Sequence, residues 1–261
     1  MCAAINKRVS SLAQNVSVLA PLMKGHLSSL SYILKTRGQP DVKQRVSYNG
    51  IEFDFRRSDL PAIKEILYAG EYDFLSDIIT SKDAPYVYDL GAHIGLFAIR
   101  VLALNPSAKI LSLEASPRNY DVIARNVEIN KNTYPNWVLK HAAAWKNNDV
   151  IKFQGALEST MSHRVDSEGS VEVPGITFKQ LLEMHSKDQP IDIMKIDIEG
   201  AEEAFLCDGD VDLSNVQNLI IEIHPNYCDG GRVRALLEKH FTTITEKHDS
   251  ALSKPLLLCQ K

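Results

Sequence analysis

From Pro85 to the end of the chain, short apolar runs alternate with segments of helical periodicity, and this alternation restricts the fold more than any other feature. Strand signals cover Tyr86 to Leu90, Lys109 to Glu114, Trp137 to Ala143, Ile191 to Ile198 and Asn218 to Ile223. Helical patterns cover Leu96 to Leu104, Pro117 to Asn130, Thr177 to His185, Ala201 to Cys207 and Arg232 to His240. Alternating units of this kind predict an α/β fold, with a mostly parallel sheet covered on both faces. Residues 150–153 and 171–173 read as a hairpin around the polar loop Glu158 to Ser170. No helix separates Phe241 to Glu246 from Lys254 to Cys259, which predicts an antiparallel hairpin at one sheet edge. Ligands of such sheets sit beyond the carboxyl ends of the strands, near the point where strand order reverses.

Two segments precede this unit, so the chain divides into 1–43, 44–84 and 85–261. In 44–56, Asn49-Gly50 stands between two alternating runs, the strongest short hairpin signal because both residues tolerate positive φ. Ser58 or Asp59 offers an N-cap before Pro61, a helical pattern runs through Ile63, Ile66 and Leu67, and Asp73 to Ser81 reads as more helix. This section is expected to cap the larger unit. Residues 1–43 contain Lys7, Arg8, Lys24, Lys35 and Arg37 but no acid before Asp41. A helix packed on the domain, a transit peptide, a membrane-surface helix and a partner-binding arm all fit such a segment. Pro21 and the lack of a clear cleavage site in Val16 to Met23 weigh against secretion.

The formal net charge of −4 leaves no basic footprint, so a nucleic-acid partner is not expected. The cysteines at 2, 207, 228 and 259 have no C-x-x-C spacing, which predicts neither a structural metal nor a disulfide framework. Scattered thiols suit a reducing, cytoplasmic setting, with organellar targeting by residues 1–40 left open, and Cys207 reads as a small buried hydrophobe. No run reaches about 18 apolar residues, the length a membrane span requires.

The chemistry-bearing turn is Val87 to Gly95, V-Y-D-L-G-A-H-I-G. Asp89 ends a buried strand, and Gly91, Ala92, His93 and Gly95 form the turn into the next helix. Glycine there lets backbone approach a ligand closely. Asp89 is placed to meet the ammonium of an amino-acid group. Glu114, followed by Ala115, ends the next strand, where a carboxylate accepts both hydroxyls of a ribose. A pyrophosphate cofactor would need glycine at the position of His93 and a third glycine after Gly95; both are missing. The pattern therefore favours a nucleoside donor without phosphate. Ala142 and Ala143, after the third strand, are small enough for adenine to pass.

On these residues the chain resembles the FkbM-type methyltransferases over roughly 86–245. The resemblance rests on D-L-G-A-H-I-G-L-F, on E-A-S-P-R-N-Y-D-V-I-A-R-N-V-E-I-N (114–130), on I-D-I-M-K-I-D-I-E-G-A-E (191–202) and on L-I-I-E-I-H-P (219–225). It implies a class I, Rossmann-like fold with a seven-stranded sheet and S-adenosylmethionine as donor, S-adenosylhomocysteine being the product. It also implies O-methylation of a hydroxyl on a sugar, glycan or secondary metabolite. Methylation of nitrogen or RNA, and a donor-binding module without catalysis, are the competing readings.

Methyl transfer needs positioning and, for an alcohol, a base. Asp197 shares a strand face with Lys195 and Glu199, and Glu222 shares one with His224. Asp197, Glu222 and His224 are the candidate catalytic residues, His224 as general base and Asp197 also toward the donor. Glu199 precedes a helix and can simply favour its N-terminus. Asp197, Glu222 and His224 together suit a divalent ion too, although the site is read without one. The loop Ser159, Thr160, Met161, Ser162, His163, Arg164 is a candidate acceptor cover. Asn126 and Asn130, at i and i+4, read as surface or cap structure.

Overall fold

Tyr86–Leu90 (β3 below) lies in the interior of a seven-stranded sheet because its side chains find apolar cover on both faces. The computed structural model describes residues 2–154, 164–165, 171–184, 189–209, 211–247 and 254–261, and of residues 2–10, 153–154, 164–165 and 171 the backbone only. In chain order, α1 (Cys2–Leu19) and α2 (His26–Lys35) lead into β1 (Lys43–Tyr48) and β2 (Ile51–Arg56). A helical turn, α3 (Leu60–Ile63), runs on to Tyr68, and α4 (Ser76–Thr80) follows. Next come β3, α5 (Leu96–Leu104), β4 (Lys109–Glu114), α6 (Pro117–Asn130) and β5 (Trp137–His141). Short strands β6 (Ala143–Ala144), β7 (Val150–Gln154), β8 (Arg164–Val165) and β9 (Val171–Ile176) precede α7 (Phe178–Glu183) and β10 (Ile191–Ile196). The chain ends with α8 (Glu202–Cys207), β11 (Val216–Glu222), α9 (Gly230–His240), β12 (Thr243–Glu246) and β13 (Leu256–Gln260).

The large sheet has the order β12-β13-β11-β10-β3-β4-β5. The inner pairs are parallel, whereas β13 runs antiparallel to both β11 and β12. The edge hairpin expected from the sequence is therefore present, with its second strand turned inward. Successive residues face opposite sides. Val87, Ile110, Ile193 and Ile220 pack with α5, α6 and the N-terminal segments. Tyr88, Leu111, Met194 and Leu219 pack with α7, α8 and α9. Strand order reverses between β3 and β10, and the cleft described below opens over their carboxyl ends. No helix among the described residues is long and apolar enough to cross a membrane.

Three readings need correction. The third strand does not run to Ala143: it leaves the sheet after His141, and β6 joins β9 in a separate four-stranded sheet. Asn126 and Asn130 are buried rather than on the surface. The Asn126 side chain accepts from the Asp54 N–H (2.7 Å) and donates to the carbonyls of Asp54 (3.1 Å) and Ile94 (2.9 Å). Asn130 donates to Glu52 O (2.7 Å). Strand β2 has no sheet neighbour on that side among the described residues, and α6 satisfies its backbone with amides instead. The hairpin itself turns at Asn49-Gly50, both at positive φ, with Tyr48 opposite Ile51. Cys207 is half-buried, and it is Cys259 that is enclosed.

Candidate active site

The donor turn is shaped by contacts within the chain. Gly91 has φ +78°, and a Cβ there would lie 1.7 Å from the Asp197 carbonyl oxygen. A Cβ on Gly95 would meet the Trp137 ring at 2.7 Å. Both glycines are thus needed for strand and helix packing, and Gly91 also lines the cleft, as ligand approach requires. His93, at φ 54°, is one of four non-glycine residues in the left-handed region among those described. Its backbone N–H donates to Glu114 Oε2 (2.7 Å), while the Ser116 N–H donates to Oε1 (2.8 Å). Glu114 is nearly enclosed, and burial pushes its pKa up to about 7 against the pull of these two donors. The His93 ring leans toward Asp59 (Nε2 to Oδ1, 3.5 Å), tying the donor turn to the front segment.

Asp89 lies fully buried beneath the turn and does not line the cleft. Its charge partner is Lys195, whose Nζ stands 3.2 Å from Asp89 Oδ1, 3.8 Å from Asp197 Oδ2 and donates to Gly91 O at 2.9 Å. Burial alone would lower the Lys195 pKa, but the two carboxylates outweigh it and the ammonium is held charged. Burial raises the Asp89 pKa, with Lys195 opposing. Asp89 therefore acts on the turn through Lys195, whose side chain does line the cleft.

The cleft has a volume of about 280 Å³. Over β3 and β4 it is walled by Ala92, His93, Glu114 and Ala115, with Ala142, Ala143 and Ala144 opposite. Over β10 and β11 it is lined by Asp197, Glu199 and Glu222, together with Lys254. The front segment closes the remaining side with Glu65, Ile66, Glu71 and Tyr72, the Tyr72 ring standing edge-on to Phe97 with centroids 5.0 Å apart.

His224 sits behind the acidic end, not in the cleft wall. Its ring is 1% exposed. Nδ1 donates to Glu202 Oε1 at 2.8 Å, and Nε2 faces Glu199 (3.3 Å), Glu222 (3.7 Å) and Asp197 (3.9 Å). Burial would depress its pKa, but Glu199 and Glu202 reverse this and raise it to about 10. The surrounding carboxylates favour the protonated ring, which works against the general-base role that the sequence suggested. Glu222 does face the cleft; burial, reinforced by Asp197, lifts its pKa to about 7. Asp197 is also raised, by burial first and despite Lys195.

The methyltransferase FkbM domain matches residues 89–244, more than half of the chain. The chain belongs to the FkbM methyltransferase family. Among curated relatives, the methyltransferase sdnD of Sordaria araneosa is 26% identical over 207 residues, covering 66% of this chain and 79% of the relative. The hexuronic acid methyltransferase AglP of Haloferax volcanii is 24% identical over 179 residues, covering 68% of this chain and 72% of that one. A solved FkbM methyltransferase from Methylobacillus flagellatus aligns with a TM-score of 0.50 at 12% identity, covering 88% of this chain and 60% of the other; it shares the fold.

Membership in the FkbM family makes this chain a methyltransferase with S-adenosylmethionine as its donor. The residues fit that donor. Glu114 lines the cleft with lone pairs left beyond its two backbone donors, which suits a ribose diol. The three alanines leave a slot that suits a planar base. Lys195 and Asp197 bring one cation and one carboxylate to the cleft, charges that suit the zwitterionic amino-acid end of the donor.

Sequence reasoning did not assign roles to Lys195, Glu202, Lys254 or the front-segment pair Glu71 and Tyr72. Lys195 was visible as the one basic residue of the central strand, and Glu202 and Lys254 stood at the ends of readable elements, but nothing in the spacing shows that they meet around the cleft. Of the candidate acceptor cover, Ser159 to His163 lie outside the described residues, and Arg164 stands in β8.

Proposed function

We propose that this FkbM-family chain is an O-methyltransferase acting on a hydroxyl of a small polar acceptor, in the first place a sugar or glycan terminus. The reading is carried by one observation: the cleft wall beside the donor turn presents Asp197, Glu199 and Glu222 together. Carboxylates accept hydrogen bonds from hydroxyls, and an alcohol, unlike an amine, must give up its proton as it is methylated. An acidic wall also repels phosphate, which disfavours nucleic-acid acceptors. The sugar acid named for one relative supports a carbohydrate acceptor, although the acidic wall here favours a neutral sugar over a uronate.

When bound, the donor supplies an electrophilic methyl group on a sulfonium sulfur. Everything else falls to this chain. Glu114 holds the ribose, and Lys195 with Asp197 orients the amino-acid end. Glu222 receives the hydroxyl proton, while Glu199 and Asp197 align the acceptor oxygen toward the donor side. The Tyr72 and Ile66 side chains cover the cleft from the front and exclude water.

The test uses purified protein, labelled S-adenosylmethionine and a panel of monosaccharides, uronic acids and polyols. Glu222→Gln is expected to lower turnover by about 100-fold or more, the scale of a lost general base, with donor affinity kept. Full turnover in that variant, or a product methylated on nitrogen, overturns the reading.

A further inference from the structure

We propose that Asp197, Glu199 and His224 form a binding site for a first-row divalent cation such as Mn²⁺ or Zn²⁺, at the acceptor end of the cleft.

The three residues offer one ligand atom each, all within 4.8 Å of one another. An acidic cluster alone would mean little, since such groups are common on protein surfaces. What distinguishes this one is the buried imidazole. His224 is 1% exposed, and among the described residues Nε2 has no partner in hydrogen-bond geometry, although it faces Glu199 Oε2 at 3.3 Å and the other carboxylates beyond it. Asp197 Oδ1 is likewise buried without a hydrogen-bond partner. Two buried polar atoms without a well-formed hydrogen bond, crowded with further carboxylate oxygens, suit an ion placed between them.

The two separations from the imidazole fit an ion. With metal–ligand bonds of about 2.1 Å, two ligands lie about 3.0 Å apart at a right angle and about 3.4 Å apart at a tetrahedral one. Opposed ligands would be about 4.2 Å apart on the same bond length. His224 Nε2 stands 3.3 Å from Glu199 Oε2 and 3.9 Å from Asp197 Oδ1, inside that span. The other ring nitrogen is already fixed: Nδ1–H donates to Glu202 Oε1 at 2.8 Å, and Glu202 is itself fully buried and accepts from the Gly200 N–H at 3.0 Å. A carboxylate behind a histidine, setting its tautomer so that Nε2 faces forward, is the usual support of a metal ligand.

One nitrogen with two carboxylate oxygens suits Mn²⁺ or Zn²⁺ better than an all-oxygen cation. Binding would expel the Nε2 proton to solvent and displace the Lys254 ammonium, which lies 3.7 Å from Glu199 and 3.4 Å from Glu222. Asp197 and Glu199 line the cleft, so one side of the ion would face the acceptor. There it would polarise a bound hydroxyl, a role that rests on the function proposed above; the site itself does not.

The experiment titrates Mn²⁺, followed by its electron spin resonance signal, and Zn²⁺, followed by calorimetry, into the metal-stripped full chain without acceptor. One ion per chain is expected. Glu199→Gln should weaken it by at least tenfold, and Glu202→Gln by about 10- to 100-fold through the ring it orients. Glu238→Gln, on exposed α9, should leave it unchanged, and circular dichroism confirms folding of each variant. Absence of stoichiometric binding to the parent chain, or unchanged affinity in folded Glu199→Gln, overturns the site. Donor affinity measured with and without EDTA separates this outcome from failure of the methyltransferase reading.

Discussion

Removing the Lys195 ammonium should undo the floor of the active site, and the size of the effect follows from the geometry. At an effective dielectric of about 20, unit charges 3.2 Å apart, as in the Lys195–Asp89 pair, attract by about 5 kcal/mol. The hydrogen bond to Gly91 O adds about 1.5–3 kcal/mol because its donor is charged. Desolvation of both ions offsets much of this, so breaking such a buried pair is expected to cost about 3–5 kcal/mol. Lys195→Met should therefore lose that much in urea unfolding at pH 7, with a fall in Tm on the order of 10 °C. The uncompensated Asp89 carboxyl, whose pKa burial already raises, makes the loss grow as pH rises through that raised value and shrink in acid. The double variant Asp89→Leu/Lys195→Met removes both charges and should recover most of the stability while donor affinity stays weak. A single variant costing under about 1 kcal/mol, or a double variant no better than the single, would refute a coupled pair.

Further outcomes follow from other contacts. Gly91→Ala places a Cβ 1.7 Å from a backbone carbonyl at positive φ, so it should cost at least about 3 kcal/mol; a loss below 1 kcal/mol in thermal unfolding would show that β3 and β10 part easily. Asn126→Ala strips three hydrogen bonds from buried backbone and should cost about 2–4 kcal/mol, measured by urea unfolding. Glu114, with its pKa at about 7, must be ionised to accept from two hydroxyls, so donor affinity should fall by up to tenfold per pH unit below that value. Calorimetry that finds parent affinity flat from pH 6 to 8 would contradict this role. For the same reason, Glu114 in the donor-free chain contributes its full stability below about pH 4.5, and that contribution is lost as pH rises through about 7.

The fold was largely legible because its signals are local. Strand β10 buries every side chain and keeps a β-branched, mostly apolar run around Asp192 and Lys195, and Asn49-Gly50 dictates its own turn. The donor end was legible for a similar reason, since a turn and an acid at a strand end mark it wherever the rest of the chain goes. The acidic end was read only in part. His224 looks like a base in isolation, and nothing in the sequence shows that Glu199 and Glu202 enclose it from the β10–α8 connection. Asn126 reads as a surface residue because a helix facing a second, small sheet has no periodic signature for polar contacts. Glu71 and Tyr72 reach the cleft through tertiary docking of the front segment, which no spacing encodes.

The most direct test of the account follows the methyl group itself. Full-length protein is incubated with methyl-labelled S-adenosylmethionine and fractionated extract, and the labelled product is characterised by mass spectrometry and alkaline hydrolysis. The account predicts one alkali-stable methyl ether on a small polar hydroxylated molecule, absent from the Glu222→Gln reaction. Label on nitrogen, label in nucleic acid, or no transfer from a chain that binds the donor would contradict it.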